Sequence, residues 1–302
     1  MILIFGTICL DRVRRVPSLP STGGYVEALD ETIMVGGEAA NTALALQKWG
    51  AQIELAGNSL GAGSEGEALE KLVRESGLPM DHLSRGDVDA PVCDIYVTPD
   101  GERTMFGRGF SAMQGSIDPA SIPYRPGEWF TAEPNMAGAA SEVARLAHDA
   151  GMMTYLMDFI RPGDPVAPGS FWQSSTDWSG VRGDALANIE WVRQWVAEKD
   201  CFTIVTDGPR GFVAGSREHE IRAYPPYPAP ITLDSTGAGD MFRSGMLYGL
   251  DQDWEIADCL RFASAAGALA CGGLGATGKI PTAQEIRSLL EAEPDISAAY
   301  DG

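Results

Sequence analysis

Short apolar segments and longer amphipathic segments alternate along most of the chain. Apolar runs typical of buried strands occupy residues 2–5, 53–56, 129–132, 153–158 and 201–206, with shorter ones at 212–214 and 221–223. Apolar residues at helical spacing occupy residues 39–49, 65–75, 139–150, 185–198, 239–250, 254–271 and 282–291. This alternation predicts an α/β fold in which helices cover both faces of a mostly parallel sheet.

Two segments, at about residues 11–35 and 88–110, fall outside this alternation. The second contains apolar segments at 92–97 and 103–106 on either side of a Pro-Asp-Gly turn, which predicts a β-hairpin. In the segment at 11–35, apolar and polar residues alternate loosely over residues 24–35, which favours a short antiparallel strand. We therefore predict a single domain of residues 1–302 in which both insertions form a second, small sheet.

One region of the chain lacks a clear pattern. Residues 161–182 are rich in Gly, Pro, Ser and Trp, and they are predicted to form a loop. The tryptophans at 172, 178, 191 and 195 could line a binding surface, but such residues more often belong to a core or an interface.

Composition narrows the range of partners. The formal net charge is −20, from 22 basic and 42 acidic residues, which argues against nucleic acid and anionic membranes because both are bound through basic patches. Five cysteines without C-x-x-C spacing, and only three histidines, argue against a structural zinc site and favour reduced thiols in a cytoplasm. The apolar N-terminus lacks a basic leader and predicts a buried strand instead of a signal peptide.

The strongest chemical signal is the heptapeptide DSTGAGD at residues 234–240. Its small residues, Gly237, Ala238 and Gly239, let the backbone approach a ligand closely, and the helix that follows directs free N–H groups at an anion. Asp240 in the first turn could accept a proton from an alcohol that attacks phosphorus. The alternative is a glycine turn followed by a capping aspartate. No G-x-x-x-x-G-K-[ST] loop occurs in the sequence.

This heptapeptide resembles the second signature of the PfkB family of carbohydrate kinases. The sequence GGEAAN at residues 36–41 resembles the first signature, and GTICLD at 6–11 resembles the family's first strand. TDGPRG at 206–211 resembles its nucleotide loop, and residues 261–282 resemble its adenine-side segment. These motifs occur in family order over nearly the whole chain.

The resemblance implies a ribokinase-like fold, with a Rossmann-like core and a small β-sheet lid. It implies that Asp240 is the base, with the residues 237–239 stabilising the transferred group. The implied acceptor-binding residues are Asp11, Gly37, Asn41 and Glu133, and the implied nucleotide-binding residues are Thr206, Gly208, Gly211, Ser264 and Gly275. Four of these assignments have a structural alternative: an N-cap or lid salt bridge for Asp11, a helix-start cap for Asn41, an exposed loop for Glu133 and a hairpin turn for residues 208–211.

The resemblance also implies Mg²⁺ and, through backbone carbonyls near residues 234–236, K⁺. The family's N-x-x-E segment is replaced here by SSTD at residues 174–177, so Asp177 is the candidate metal ligand. Glu38 stands where ribokinases commonly have lysine, and Ser264 stands where many have asparagine.

We therefore expect ATP-dependent phosphorylation of a sugar or nucleoside hydroxyl by a cytoplasmic enzyme, with a small sheet that could pair two subunits as a homodimer. The alternative is a catalytically silent ligand-binding or regulatory protein on the same fold. A nicotinamide-dependent oxidoreductase is disfavoured because no glycine fingerprint follows the first strand.

Overall fold

A computed structural model describes residues 1–301. The strands in chain order are β1 (Ile2–Gly6), β2 (Cys9–Arg15), β3 (Asp30–Gly36), β4 (Ile53–Gly57), β5 (Val92–Val97), β6 (Arg103–Arg108), β7 (Trp129–Ala132), β8 (Met153–Met157), β9 (Phe171–Ser175), β10 (Phe202–Thr206), β11 (Phe212–Gly215) and β12 (Arg222–Tyr224). The helices are α1 (Glu38–Lys48), α2 (Gly63–Glu75), α3 (Phe110–Met113), α4 (Ala137–Asp149), α5 (Ala185–Lys199), α6 (Ala238–Leu250), α7 (Ile256–Ala270), α8 (Ala283–Ala292) and α9 (Pro294–Ala298).

The large sheet has eight strands in the order β12-β11-β10-β9-β8-β7-β1-β4. The strands β4, β1, β7, β8, β9 and β10 run parallel to one another. Strands β11 and β12 complete one edge in antiparallel pairing. The predicted mostly parallel sheet is therefore confirmed.

Two hydrophobic cores lie on the two faces of this sheet. Along β1, Ile2 and Ile4 pack into one core, while Leu3 and Phe5 pack into the other, because successive side chains of a strand point to opposite faces. Helices α1, α2, α6, α7 and α8 cover the first face, and α4 and α5 cover the second. This two-sided burial explains why the parallel strands are continuous apolar runs.

The small sheet has four strands in the order β3-β2-β5-β6. Strands β5 and β6 form the predicted hairpin, and β2 pairs with β3 in antiparallel fashion. The strand predicted at 24–35 begins only at Asp30, since residues 24–29 form no strand. Both predicted insertions thus contribute to this sheet.

The prediction of a continuous loop over residues 161–182 is wrong. Strand β9 lies inside that range, between β8 and β10 in the middle of the large sheet. Its residues Gln173 and Ser174 are buried polar side chains, so the strand lacks an apolar pattern. They are satisfied by Tyr155 Oη, which donates to Gln173 Oε1 at 2.6 Å, and by Asp158 Oδ1, which accepts from Ser174 Oγ at 2.6 Å.

Three of the four clustered tryptophans belong to the core, as predicted. Trp172 is fully buried, and the rings of Trp191 and Trp195 stack near it with centroids 5.6 and 4.6 Å away. Trp178 is instead 66% exposed. Within residues 1–301, no helix combines the length and apolar character needed to cross a bilayer.

Candidate active site

Carboxylates gather at the edge of the large sheet where its parallel strands end. Glu133 directly follows β7, Asp158 directly follows β8, and Asp207 directly follows β10. The carboxyl ends of parallel strands form the ligand-binding edge of an open α/β sheet. Because β7, β8 and β10 are parallel strands of one sheet, three carboxylates that are far apart in sequence lie along the same edge, which we call the acidic edge.

Helix α6 begins at this edge, at the DSTGAGD motif. Gly237 precedes the helix in a left-handed conformation with φ 77°, and a Cβ at this position would clash with Ala276. Only glycine adopts this conformation without strain. In this first turn the Ala238 N–H donates to the Ser235 carbonyl at 3.3 Å, and the Gly239 N–H directly precedes Asp240.

Helix α1 meets α6 at the same carboxylate. Asn41 Nδ2 donates a hydrogen bond of 2.8 Å to Asp240 Oδ2, although 199 residues separate them. Gly37 begins α1 with φ 94°, and a Cβ there would collide with the Thr7 carbonyl. The glycine pair also leaves room for Asp11, because a Cβ on Gly36 would overlap the Asp11 carboxylate. Asn41 is thus no simple helix cap.

Asp11 lies on β2, in the small sheet, and not at the end of the first strand. Its side chain is buried, and Cys9 Sγ donates to its Oδ1 at 3.1 Å. Burial raises the pKa of Asp11 to about 6, with further upward contributions from Asp240 and Asp234. None of its contacts is the salt bridge that was the structural alternative.

Glu133 is fully buried, so the exposed-loop alternative for it is wrong. Its two carboxylate oxygens accept hydrogen bonds from the backbone N–H groups of Thr7 and Asn135. Asn135 Nδ2 also donates to Glu38 Oε1 at 3.0 Å. Glu133 therefore links the end of β1 to the turn after β7 beside the acidic edge.

The electrostatic environment at this edge favours the protonated form of its buried carboxyl groups. Burial raises the pKa of Asp240 to about 6, although Arg243 and the Asn41 amide lower it. Burial likewise raises the pKa of Asp158 to about 6, and enclosure of the Glu38 carboxyl raises its pKa well above the ordinary value. Neighbouring carboxylates add to these shifts because like charges disfavour ionisation.

Several buried polar atoms around Asp240 have no partner among residues 1–301. They are Glu38 Oε2, Asn41 Oδ1 and Arg243 Nη1. A buried polar group without a partner costs about 1–3 kcal/mol, so a cluster of them indicates a place where a polar ligand supplies the missing hydrogen bonds.

Comparison with known proteins identifies the family. The sequence profile of the pfkB family of carbohydrate kinases matches residues 1–116 and 173–283. The chain belongs to the PfkB family. An uncharacterized sugar kinase of Dictyostelium discoideum is 28% identical over 96% of this chain and 97% of its own length.

Solved structures of PfkB-related kinases share the fold. Ribokinase from Giardia lamblia superposes with a TM-score of 0.81 at 19% identity, covering 96% of this chain and 99% of that one. Ribokinase of Arabidopsis thaliana, complexed with ribose and ATP, gives a TM-score of 0.72 at 19% identity, covering 96% and 98%. The predicted PfkB resemblance and ribokinase-like fold are confirmed.

Three residues predicted to bind nucleotide in this PfkB chain, Thr206, Gly208 and Gly211, lie at the end of β10 and in the turn after it. Thr206 ends β10 and donates to the Ser174 carbonyl at 3.3 Å. Gly208 begins a short 3₁₀ turn, and a Cβ there would meet open space, whereas one on Gly211 would collide with the Tyr224 carbonyl. The turn is held by Asp207, which accepts from Arg210 Nε at 2.8 Å. Gly208 is therefore the accessible member of this pair.

Ser264 and Gly275, also predicted to bind nucleotide, are both buried. Ser264 is buried on α7, where its hydroxyl accepts a long 3.5 Å hydrogen bond from the Tyr227 N–H. The Gly275 N–H donates to Asp234 Oδ2 at 2.7 Å, and a Cβ there would clash with Met34 of the small sheet. Gly275 thus joins the DSTGAGD loop to the small sheet.

Asp177 lies on an exposed turn after β9 and forms an ion pair with Arg182. In the described part of the chain, no group of three or more His, Cys, Asp or Glu side chains is arranged to hold a metal ion. The metal role of Asp177 stays a prediction.

Sequence reasoning missed two charged side chains of this site, Asp158 and Arg243. Asp158 is the last residue of the apolar run predicted at 153–158 and directly follows β8, and Arg243 lies three residues after Asp240 on the same helix face. Arg243 falls within the stretch, continuing from DSTGAGD, that resembles the second signature, and Asp158 lies at the end of an apolar run, but no role was predicted for either of them from the sequence.

Proposed function

We propose that this PfkB chain transfers the γ-phosphoryl group of ATP to a hydroxyl of a sugar or nucleoside. The observation that carries the proposal is the meeting of the two signature helices at Asp240, whose Oδ2 accepts from Asn41 while the first turn of α6 lies beside it. This arrangement provides a base and an anion-binding helix terminus at one point.

The chemistry assigned to the residues is a direct displacement. The acceptor oxygen forms a bond to the γ-phosphorus, its proton passes to Asp240, and the bond from phosphorus to the β–γ bridging oxygen breaks to release ADP. Backbone N–H groups of residues 237–239 stabilise the charge on the transferred group. With a pKa of about 6, Asp240 is mainly ionised at neutral pH and can act as the base.

ATP is supported as the phosphoryl donor by family membership and by the nucleotide in the Arabidopsis ribokinase structure. Mg²⁺ when bound would neutralise the phosphate charges. It commonly uses one or two carboxylates together with phosphates and water, so a single exposed carboxylate such as Asp177 fits that requirement. We include K⁺ as a further expected cofactor near residues 234–236.

Asp177→Ala should raise the Mg²⁺ concentration that gives half-maximal activity, because the metal loses a carboxylate while ATP still binds it. The measurement is ADP release across a Mg²⁺ titration. Glu198→Ala, which removes another exposed carboxylate far along α5, is the matched control. Identical titration curves for wild type and Asp177→Ala would leave Asp177 as a loop residue that pairs with Arg182.

An uncharged acceptor is favoured by the way the arginines of the small sheet are used. Arg12 and Arg108 both pair with Glu65, at 2.8 and 2.6 Å, and Arg14 pairs with Asp94 at 2.5 Å. Arg15 pairs with Asp30. Pairing with carboxylates offsets much of the charge of these four guanidinium groups, so they offer little help to a phosphate on the acceptor. Arg103, which donates to Ser235 and has no ion-pair partner among residues 1–301, is the exception.

The small sheet is proposed to act as a lid. Arg103 on β6 donates from Nη1 to Ser235 Oγ at 3.1 Å, and the Gly101 carbonyl in the β5–β6 turn accepts from the Ser235 N–H at 3.4 Å, so the sheet contacts the DSTGAGD loop at Ser235. Closure would exclude water, which otherwise competes with the acceptor for the phosphoryl group. The exposed apolar residues Ile33, Met105 and Phe106 on this sheet support the proposed pairing of two subunits.

Closure predicts that acceptor binding slows hydrogen exchange in residues 11–35 and 88–110, because their backbone amides become less accessible when the lid closes. Exchange should be measured with ATP alone and with ATP plus acceptor, in wild type and in Arg103→Gln, which loses the contact to Ser235. Protection should increase with the acceptor, and less so in the variant. Equal protection in all four samples would contradict a lid.

The assay that tests the proposed function is ADP release with a panel of sugars, nucleosides and sugar acids in the presence of Mg²⁺ and K⁺. Acceptor-dependent release supports a kinase. ATP binding without release for every acceptor would favour the alternative, a silent ligand-binding or regulatory protein. A cytoplasmic location is proposed from the five cysteines, all of which have free thiols.

A further inference from the structure

A buried guanidinium lies one helical turn after Asp240. Arg243 is fully buried, and its Nη2 lies 3.2 Å from Asp240 Oδ1. Residues three apart share one face of a helix, so α6 itself brings the two side chains together. The contact is charge-assisted and shielded from water, which makes it stronger than a surface ion pair.

The guanidinium is held in place from α1. Its Nη2 donates to the Glu38 carbonyl oxygen at 2.6 Å, and its Nε donates to Thr42 Oγ1 at 3.0 Å. The guanidinium is planar, so two contacts to one helix fix the direction in which the fork faces. Arg243 therefore presents a fixed positive charge to Asp240 across the junction of the two signature helices.

The positive charge of Arg243 affects the ionisation of Asp240, because Asp240 lies among other carboxyl groups. The ionisable groups that act on it come from α1, β2, β6, the turns after β7 and β8, and α6 itself: Glu38, Asp11, Arg103, Glu133, Asp158 and Arg243. Four of these are carboxyl groups, which together with burial favour a protonated Asp240. Of the two arginines, Arg243 makes the direct contact.

We propose that Arg243 is a positioning residue that keeps the Asp240 carboxylate ionised and directed toward the acceptor hydroxyl. Arg243 bonds Oδ1 and Asn41 bonds Oδ2, which fixes the plane of the carboxylate, and each oxygen keeps a second lone pair for the incoming proton. The catalytic consequence rests on the proposed kinase function, whereas the ionisation of Asp240 does not.

The test compares wild type with Arg243→Gln, which keeps hydrogen-bonding capacity but removes the charge. The acid limb of the kcat/KM profile should move to higher pH by about 1–3 units, the range seen for a carboxylate beside an arginine. Because the pKa of Asp240 is about 6 in the wild type, kcat/KM at pH 7 should then fall by about 2-fold to 100-fold and recover as the pH is raised. Arg243→Lys retains the charge and should restore most of the wild-type profile.

A second readout does not depend on turnover. In protein carrying ¹³C-labelled aspartate carboxyl groups, the resonance missing from Asp240→Asn identifies Asp240, and its titration should move to higher pH in Arg243→Gln. Should that variant fail to fold, Thr42→Val removes the hydroxyl that holds Nε and should shift the titration in the same direction by less. Arg193→Gln, on an exposed pair of α5, should leave both readouts unchanged.

An Asp240 titration that stays at the wild-type pH in Arg243→Gln would overturn the proposal. So would a loss of kcat that is equal at every pH, because it indicates a structural role only. If no acceptor gives turnover with the wild type, the proposed kinase function fails, and the NMR titration alone decides whether Arg243 sets the ionisation of Asp240.

Discussion

Asp240→Asn should lower kcat by about 10²–10⁴, the usual loss when a positioned base is removed. The amide has nearly the shape of the carboxylate, so its carbonyl oxygen can still accept from Arg243, and its NH₂ group can donate to Asn41 Oδ1 once the Asn41 amide rotates. We therefore expect ATP affinity to stay close to that of wild type, while the buried Arg243 charge loses its counter-charge and some unfolding free energy is lost.

The measurements are kcat from acceptor-dependent ADP release, ATP affinity by calorimetry, and the thermal unfolding midpoint. Asp149→Asn makes the same chemical change on an exposed carboxylate of α4 and should leave all three unchanged. Near-normal turnover by a folded Asp240→Asn protein would remove Asp240 from the mechanism.

Neutral acceptors should be preferred to anionic ones by about 10²–10³ in kcat/KM. The acceptor side carries Asp11, Glu38, Glu133 and Asp240, and one like-charge pair 4 Å apart costs on the order of 4 kcal/mol at an effective dielectric of 20 before screening. The same carboxylates accept hydrogen bonds from neutral hydroxyls. Ribose, fructose and adenosine should therefore outperform fructose 6-phosphate and 2-keto-3-deoxygluconate.

Reversing the charge of one acidic residue tests whether the carboxylates cause the preference for neutral acceptors. Glu38→Lys replaces one of these acids with a base, so the preference for neutral acceptors should shrink. Glu67→Lys, at an exposed position of α2, makes the same change away from the site and should leave the preference intact. Turnover confined to anionic acceptors in the wild type would show that arginines, and not carboxylates, set specificity.

The parts of the fold that could be predicted from sequence are those with a local pattern. Strand β7 was predicted to the residue, and the hairpin of β5 and β6 followed from its turn. Strand β9 was missed because Gln173 and Ser174 are polar yet buried. Their partners, including the Gly239 carbonyl that accepts from Gln173 Nε2 at 3.0 Å, lie far away in sequence.

The candidate active site was also predictable only where a local sequence pattern marks it. The motifs at residues 36–41 and 234–240 were recognisable separately, but their meeting at Asp240 depends on how α1 and α6 pack. Arg243 could not be assigned from sequence because its partners on α1 include the backbone carbonyl of Glu38, which no sequence pattern marks. Asp158 was overlooked for a related reason, since its importance comes from the neighbours that β8 and β9 give it.

The central claim, phosphoryl transfer to an acceptor hydroxyl, is tested most directly by identifying the product. Purified protein should be incubated with ATP, Mg²⁺, K⁺ and the best neutral acceptor, and the mixture analysed by ³¹P NMR and mass spectrometry. We predict a phosphomonoester of the acceptor formed in equal amount with ADP, and neither product above background with Asp240→Asn. ADP accompanied only by inorganic phosphate, or ATP bound but unchanged with every acceptor, would contradict the claim.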